Sequence, residues 1–288
     1  MWKAPLPPNS AERSDRLRAS LAARTVPMPG AINALSARLI EQRGFEAIYV
    51  SGAVLANSVG GVPDIGLMTL TESVAHCASI ARVTTLPIIA DADTGYGGAE
   101  CAFSTVRALE SAGVSGIHIE DQVFPKRCGH LDGKSLVSIE EFCEKIAAAS
   151  EAKASEDFLL IARTDARGVT DYDDAVRRAH AYLEAGADAI FPEALHTEEE
   201  LKRFADDVDT ILLANMTEFG KTPYLTVEQF GELGYNIVIF PVTLQRMAMK
   251  AMDEALLEIR EVGSQENLLG QMQMREELYD LLKYRPNS

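Results

Sequence analysis

The 288-residue chain carries 43 Asp and Glu against 27 Lys and Arg, for a net charge of −16 and a pI near 4.8. Nucleic-acid phosphates and anionic membrane surfaces would repel such a chain, so neither is expected as a partner and a small molecule is. The length suits one large domain with an ample core, no apolar run approaches the roughly 18 residues of a membrane span, and Met1 to Ser20 lacks a signal-peptide core, so a soluble cytoplasmic protein is expected.

Taken in order, Pro5, Pro7 and Pro8 predict an extended start, and 10–23 has helical composition with many charges, so 1–25 reads as a leader with one helix. From Val26 onward eight short apolar runs follow one another, at 26–32, 47–51, 86–93, 116–121, 158–165, 189–193, 211–215 and 236–241. Between them, stretches such as 99–112, 138–152, 173–185 and 197–207 are rich in Ala, Glu, Leu, Arg and Lys at helical spacing. Ser138 with Glu141 and Thr197 with Glu200 read as capping boxes, and Gly113 and Gly186 fall where helices should stop. Eight β/α units predict a (β/α)₈ barrel of the TIM type over 26–262 rather than an open doubly wound sheet. No Gly-x-Gly-x-x-Gly follows the first strand and no Walker-type loop is present, which removes the nucleotide-binding fingerprint.

After Pro241 the pattern continues as a helix over 244–260, a turn at Gly263-Ser264 and a second helix over 266–284. A barrel needs one closing helix, and 263–288 is left over. It carries Leu268, Leu269, Met272, Leu278, Leu281 and Leu282, more apolar surface than a free tail keeps in water. It is therefore expected to pack on a neighbouring subunit, the alternative being that it folds back onto its own barrel. Cys77, Cys101, Cys128 and Cys143 form no Cys-x-x-Cys pair and are too few for a disulfide scaffold, so they read as reduced thiols.

The apolar runs end in polar groups again and again. Tyr49, Ser51 and Gly52 close the second, Asp91 and Asp93 the third, and His118, Glu120 and Asp121 the fourth. Arg163 and Asp165 close the fifth, Glu193 the sixth, Asn215 and Thr217 the seventh, and Pro241 the eighth, shortly before Arg246. Any one of them alone suits a helix cap or a turn; together they sit where a barrel keeps its active site, at the carboxyl ends of its strands. Asp91 and Asp93 lie two apart and face one way on an extended chain, with Glu120 on the next strand. Such oxygen donors suit Mg²⁺ or Mn²⁺; the calcium loop pattern is absent, as are clustered His and Cys for zinc. A glycosidase pair would leave Arg163, Arg246 and Arg275 unused, whereas arginines suit a substrate with several carboxylates.

One loop carries the rest of the chemistry. Lys126-Arg127-Cys128-Gly129-His130 places three cationic side chains around one thiol, an arrangement that favours a thiolate or a proton-donating thiol; an ordinary surface cysteine is the plainer reading. Gly129 and Gly133 give 124–134 the freedom to act as a lid.

These segments together resemble the 2-methylisocitrate lyase family of the isocitrate lyase and phosphoenolpyruvate mutase superfamily. The likeness runs from about Pro27 to Tyr284. It rests on Ile48-Tyr49-Val50-Ser51-Gly52, on Asp91-Ala92-Asp93-Thr94-Gly95-Tyr96-Gly97, on His118 to Gln122, on Lys126 to His130, and on Ala162-Arg163-Thr164-Asp165. Phe191-Pro192-Glu193-Ala194 and Ala214 to Gly220 complete it.

The resemblance implies a barrel whose C-terminal helix is swapped between the subunits of a homotetramer. It also implies cleavage of the tricarboxylate 2-methylisocitrate to pyruvate and succinate in the methylcitrate cycle of propionate catabolism. It assigns Asp91 and Asp93 to Mg²⁺, with Asp64 and Glu120 near the metal through waters. Ser51, Gly52, Ala53, Gly129, Arg163, Glu193, Asn215, Thr217, Arg246 and Arg275 would contact substrate, and Cys128 would be the catalytic acid, flanked by Lys126 and His130. Ala53 departs from the glycine often found there in the family. Tyr49, facing the same way as Ser51, is the candidate base, with an inward packing role as its alternative.

Isocitrate lyase is the nearest rival, but it is usually longer, with inserts absent here; Phe191, Ile239 and Pro241 are expected to line a pocket for the extra methyl. The phosphoenolpyruvate mutase and oxaloacetate decarboxylase branch shares the Asp-x-Asp pair without the Cys-Gly-His loop. A non-catalytic acid-binding barrel is the distant alternative, and it leaves the cation-flanked thiol without a use.

Overall fold

Strand composition alternates in two registers, and the barrel follows from it. The computed structural model describes residues 8–129, 131 and 133–285. Eight parallel strands run β1 (Val26–Pro29), β2 (Ile48–Val50), β3 (Ile88–Asp91), β4 (Gly116–Glu120), β5 (Leu159–Thr164), β6 (Ala189–Pro192), β7 (Ile211–Asn215) and β8 (Ile237–Phe240). They pair in the circular order β1-β8-β7-β6-β5-β4-β3-β2, and a parallel bridge between Gly30 and Tyr49 closes the ring. All eight predicted runs are strands, and the barrel is the predicted one.

Period-two alternation divides each strand between two cores. Ile89, Leu159, Ile161, Phe191, Leu213, Ile237 and Ile239 fill the barrel interior. Their neighbours Ile88, Ile117, Ile119, Leu160, Ile190, Leu212 and Val238 face outward into the layer of helices. The inward series ends in polar groups, most of them charged: Ile89 leads to Asp91, His118 to Glu120, Ile161 to Arg163, Phe191 to Glu193 and Leu213 to Asn215.

The helices are α1 (Ser10–Ala23), α2 (Ala34–Gln42), α3 (Gly52–Leu55), α4 (Leu70–Ala81), α5 (Ala99–Ser111), α6 (Ile139–Ala152), α7 (Tyr172–Glu184), α8 (Glu198–Asp207), α9 (Val227–Glu232), α10 (Thr243–Val262) and α11 (Arg275–Leu281). Helix α1 closes the floor of the barrel. Leu17 and Leu21 join the interior cluster, and the buried Arg13 guanidinium donates to the carbonyls of Ala81, Thr84 and Gly113. Ser138 and Thr197 cap α6 and α8 by accepting the N–H of Glu141 and Glu200, both at 3.1 Å. The reciprocal half is not made at Glu141, nor at Glu200. The Glu200 carboxylate takes the His196 N–H (2.8 Å) and Arg167 (2.7 Å) instead, because a guanidinium within reach is the stronger donor.

The tail differs from its expectation. The predicted helix over 266–284 is broken into a short 3₁₀ turn, Glu266–Gln271, and α11, with Gly270 near the break and Met274 extended. The Met274 N–H is taken by Glu277 at 2.7 Å, which starts a new helix rather than continuing the old one. Leu281 is buried and α11 touches α2, while Leu269, Met272 and Leu278 remain exposed. Among the described residues no helix is long and apolar enough to cross a membrane.

Candidate active site

The carboxyl ends of the strands surround a cavity of about 380 Å³. It brings together Tyr49, Ser51, Ala53, Asp64, Asp91, Lys126, Cys128, Gly129, Arg163, Glu193, Asn215, Thr217 and Arg246, which lie far apart in the chain. Phe191, Ile239 and Pro241 line it as well. Gly52 lies beside it and donates its N–H to Asp91 Oδ2 at 3.1 Å. Arg275 is elsewhere: it begins α11, is exposed, and does not line the cavity. His130 lies outside the described residues.

Two acidic groups converge on one spot. A Cβ built on Gly52 would sit 2.9 Å from Asp91 Oδ2 and 3.5 Å from Asp93 Oδ1, so both carboxylates face the same small space. Asp91 Oδ1 accepts the Asp93 N–H at 2.9 Å, and Asp93 itself adopts a φ of +47°. That left-handed backbone is uncommon outside glycine and persists where the surroundings over-determine it, as at functional sites. The Lys126 ammonium reaches down from the loop to Asp93 (2.8 Å) and Asp64. Its aliphatic stem is buried, and the carboxyl groups of Asp64, Asp91, Asp93 and Glu120 draw its charge into the barrel mouth. Arg127, by contrast, is exposed.

Burial, with the charge of Asp91, pushes the Asp93 carboxyl up to about 6. Burial also holds Glu120 well above the usual carboxylate range despite Arg163 and Lys126. Burial alone would lower Lys126, but the charges of Glu120, Asp93, Asp91 and Asp64 raise it and keep it protonated. The site therefore has more carboxylate than cation.

Arg163 anchors the opposite wall. Its Nε and Nη2 meet Asp165 (3.0 and 3.2 Å), Nη2 meets Glu193 (3.2 Å), Nε faces Glu120 (3.5 Å), and the guanidinium lies 5.0 Å from the Phe191 ring centre. The Cys128-Gly129 backbone rests directly on this wall. A Cβ on Gly129 would collide with the Arg163 guanidinium and stand 2.6 Å from Glu193 Cγ, so only glycine lets the loop close this far. Under the wall, the Tyr49 hydroxyl and His118 Nε2 are 2.7 Å apart. Burial lowers His118 to about 4, against the pull of Asp91, which keeps the imidazole neutral. Burial and the charge of Asp91 hold the Tyr49 phenol well above its usual range.

The phosphoenolpyruvate phosphomutase family model matches residues 17–260. The chain is 54% identical over 256 residues to 2-methylisocitrate lyase of Aeropyrum pernix, covering 89% of this chain and 82% of that one. It is 52% identical over 274 residues to probable 2-methylisocitrate lyase 1 of Corynebacterium glutamicum, covering 94% and 90%. The crystal structure of 2,3-dimethylmalate lyase, a PEP mutase/isocitrate lyase superfamily member, superposes with a TM-score of 0.89 at 36% identity, covering 96% of this chain and 92% of that one. The chain belongs to the phosphoenolpyruvate mutase/isocitrate lyase superfamily.

Another superfamily-like structure, phosphonopyruvate hydrolase in complex with oxalate and Mg²⁺, superposes with a TM-score of 0.84 at 34% identity over 94% of this chain and 95% of that one. The residues here fit such an ion. Hard oxygen donors from Asp91 and Asp93 converge, the local charge is negative, and buried Glu120 Oε1 has no hydrogen-bond partner. Among the described residues no three acidic, His or Cys side chains form a closed metal cluster. Magnesium needs no such cluster, since it keeps waters and takes one or two carboxylates together with substrate oxygens.

The sequence reading missed several residues that line the cavity. Asn57, Pro63, Val242, Gln245 and Met249 also line the cavity. Val242, Arg246 and Met249 stand at helical spacing on the start of α10, so the signal was present in the assignment of Arg246. Asn57 lies in a π-helical turn, Ala56–Gly60, that continues α3, and Pro63 in the loop beyond it, whose path no periodicity foretells.

Proposed function

We propose that the protein is a magnesium-dependent carbon–carbon lyase that cleaves 2-methylisocitrate to pyruvate and succinate, the cleavage step of a methylcitrate cycle in propionate catabolism. The observation that carries the reading is the thiol-bearing Cys128-Gly129 backbone seated on Arg163 and Glu193, across one cavity from the Asp91 and Asp93 carboxylates.

The reaction breaks one carbon–carbon bond, removes one hydroxyl proton and delivers one proton to the departing carbon. Asp91 and Asp93 would hold Mg²⁺, or Mn²⁺, with Asp64 and Glu120 nearby; the ion supplies positive charge opposite the oxyanion of the 2-hydroxy acid portion. Ser51, Ala53, Asn215 and Thr217 line the cavity, with Gly52 beside it, and would contact the substrate. Arg163 and Arg246 supply charge for the carboxylates of the succinate half, with Glu193 and Asn215 fixing Arg163 from below. Tyr49 takes the hydroxyl proton. Because its phenol resists ionisation, it does so while passing its own proton to neutral His118 Nε2, 2.7 Å away; after product release His118 gives that proton up to solvent and the Cys128 thiolate regains one. Cys128 gives its thiol proton to the succinate carbon, with Lys126 and His130 flanking it. Phe191, Ile239 and Pro241 offer the apolar wall for the substrate methyl.

The working form in this reading is a cytoplasmic homotetramer, in which 263–288 follows the 1–25 leader and the 26–262 barrel as a separate segment, gives up its contact with α2 and crosses to a neighbour. What supports it is α10, which has no buried residue and leaves Met247, Met252, Leu256 and Ile259 in water, and Arg275, which reaches no site in its own chain. Removing 264–288 should lower both oligomer size and turnover; a monomer in light scattering at micromolar concentration refutes the exchange.

The test of the activity is direct. Purified protein with Mg²⁺ is incubated separately with 2-methylisocitrate, isocitrate, 2,3-dimethylmalate and oxaloacetate, and pyruvate, glyoxylate and succinate are followed. Pyruvate with succinate from 2-methylisocitrate alone is expected. Faster release of glyoxylate from isocitrate would replace the substrate, and no product from any of the four would reject the reading.

A further inference from the structure

The loop that carries Cys128 is tied down at its far end by a side chain outside the chemistry described above. Lys134 is buried, with only 1% of its side chain exposed. Its ammonium donates to Asp165 Oδ1 at 2.7 Å and to the carbonyl oxygen of Gly129, the residue next to the thiol. One cation thus joins the loop's own backbone to the end of β5.

The anchor on the barrel side is rigid. The Asp165 N–H donates to Asp121 Oδ1 at 2.9 Å, and Asp121 Oδ2 in turn accepts from Thr164 and Tyr182, both at 2.8 Å. Burial by itself would raise Asp165, but the charges of Arg163 and Lys134 outweigh it and hold the carboxylate ionised. Opening the loop would pull the ammonium off a buried carboxylate, a change that costs more than breaking a solvated pair. It would also carry the Lys134 charge away from the side of the cavity where Arg163 faces Glu120, Asp165 and Glu193, which lowers the pull on an anionic substrate.

We propose that Lys134 is a positioning residue that clips the Cys128 loop shut against Asp165 and so couples loop closure to binding of the anionic substrate. It touches no reacting atom and acts through Gly129 and Asp165. The inference rests on the reading of Cys128 as proton donor, but its main test needs no substrate.

The experiment compares the full-length protein with Lys134→Met, Lys134→Arg and Gly168→Ala. The last keeps every charge and crowds the ammonium, because a Cβ there would stand 3.2 Å from Lys134 Nζ. The rate of Cys128 alkylation by iodoacetamide is read by mass spectrometry, with the exposed Cys101 as internal reference. Lys134→Met should raise the Cys128 rate about tenfold and leave Cys101 unchanged, as expected for a lost buried charge-assisted bond. Gly168→Ala should raise it about twofold, and Lys134→Arg should return it toward the wild-type rate. With 2-methylisocitrate, Lys134→Met should raise KM by a larger factor than it lowers kcat. A Cys128 rate unchanged in Lys134→Met overturns the clip. If that variant does not fold, an unchanged rate in Gly168→Ala does so. Absence of turnover in the wild-type protein rejects the functional reading and leaves the alkylation result to decide the clip on its own.

Discussion

The two ends of this barrel bury polar groups on opposite terms. At the floor buried polar side chains turn to backbone: Arg13 gives its two Nη atoms to three carbonyls, though its Nε has no partner, Glu110 accepts the N–H groups of Ala154 and Ser155, and the Ser115 hydroxyl accepts the Ile88 N–H. At the mouth, side-chain charges face each other. Asp91, Asp93, Asp64 and Glu120 share Lys126 and Arg163, and buried atoms such as Glu120 Oε1 and His118 Nδ1 are left without hydrogen-bond partners. Polar groups bonded to backbone fasten a fold, whereas facing side-chain charges hold a site in readiness for a ligand. Changes at the mouth should therefore reduce turnover and spare stability, and changes at the floor should do the reverse.

The largest effect is expected from the acidic pair. Chelation, or Asp93→Asn, should lower turnover by about 10³-fold or more, with Mg²⁺ restoring the chelated protein alone. Elemental analysis beside the rate measurement checks it, and full activity in excess chelator with no bound metal rejects it. Cys128→Ser comes next. A hydroxyl is a far weaker acid at similar size, so kcat should fall by roughly 10²–10⁴-fold while the melting temperature holds. Near-normal kcat removes the thiol from catalysis, and a collapsed melting temperature makes it structural and breaks the contrast between the two ends.

The floor supplies the converse. Arg13→Met strips three buried carbonyls of their donor and should cost about 2–5 kcal/mol of folding stability, measured by denaturant titration, with kcat of the folded fraction unchanged. A drop in kcat without loss of stability would contradict the division.

The smallest expected effect lies between the ends, at Asp121. Burial and the neighbouring charge of Asp165 push its carboxyl up to about 6 from 3.8. Between those values the folded chain binds a proton that the unfolded chain has lost, so this group's contribution to stability is present below pH 3.8 and lost as pH rises through 6. His118, lowered to about 4 from 6.5, acts in the opposite sense: its contribution is present above pH 6.5 and lost as pH falls through 4. Asp121→Asn removes the first and leaves the second. Stability should then rise more steeply between pH 4 and 6, by at most about 1.4 kcal/mol per pH unit. An unchanged slope in urea titrations across that range would show that Asp121 is ionised throughout.

Much of the barrel was legible because its signals are local. Eight apolar runs, the glycine stops at Gly113 and Gly186, and the caps at Ser138 and Thr197 each depend on neighbours within a turn or a strand. The polar strand ends were legible for the same reason: period two carries the inward series from Ile89 to Asp91 and from Ile161 to Arg163 past the apolar layer, whereas Asp93 reaches the same space through a left-handed backbone that no strand pattern foretells. What stayed hidden depends on distance. Lys134 was visible at the end of the cysteine loop, but nothing in its neighbours tells that its ammonium crosses to Asp165 and Gly129. Glu200 looked like a capping partner until Arg167 came within reach. The tail over 266–284 had helical composition throughout, yet the weak propensity of Gly270 and the capping of Met274 by Glu277 divide it.

By itself the sequence determined that strands and helices alternate eight times, that charge gathers at the strand ends, and which residues resemble a lyase site. Backbone periodicity and side-chain chemistry act over a few residues and need no fold to be read. Only the tertiary structure decided which charges share a space: that Lys126 turns to Asp93 and Asp64, that His118 stands behind Tyr49, and that Arg275 lies away from its own chain's cavity. Coulomb and hydrogen-bond energies fall off within several ångströms, so their partners are set by how the ring closes, and ring closure is a property of the whole chain.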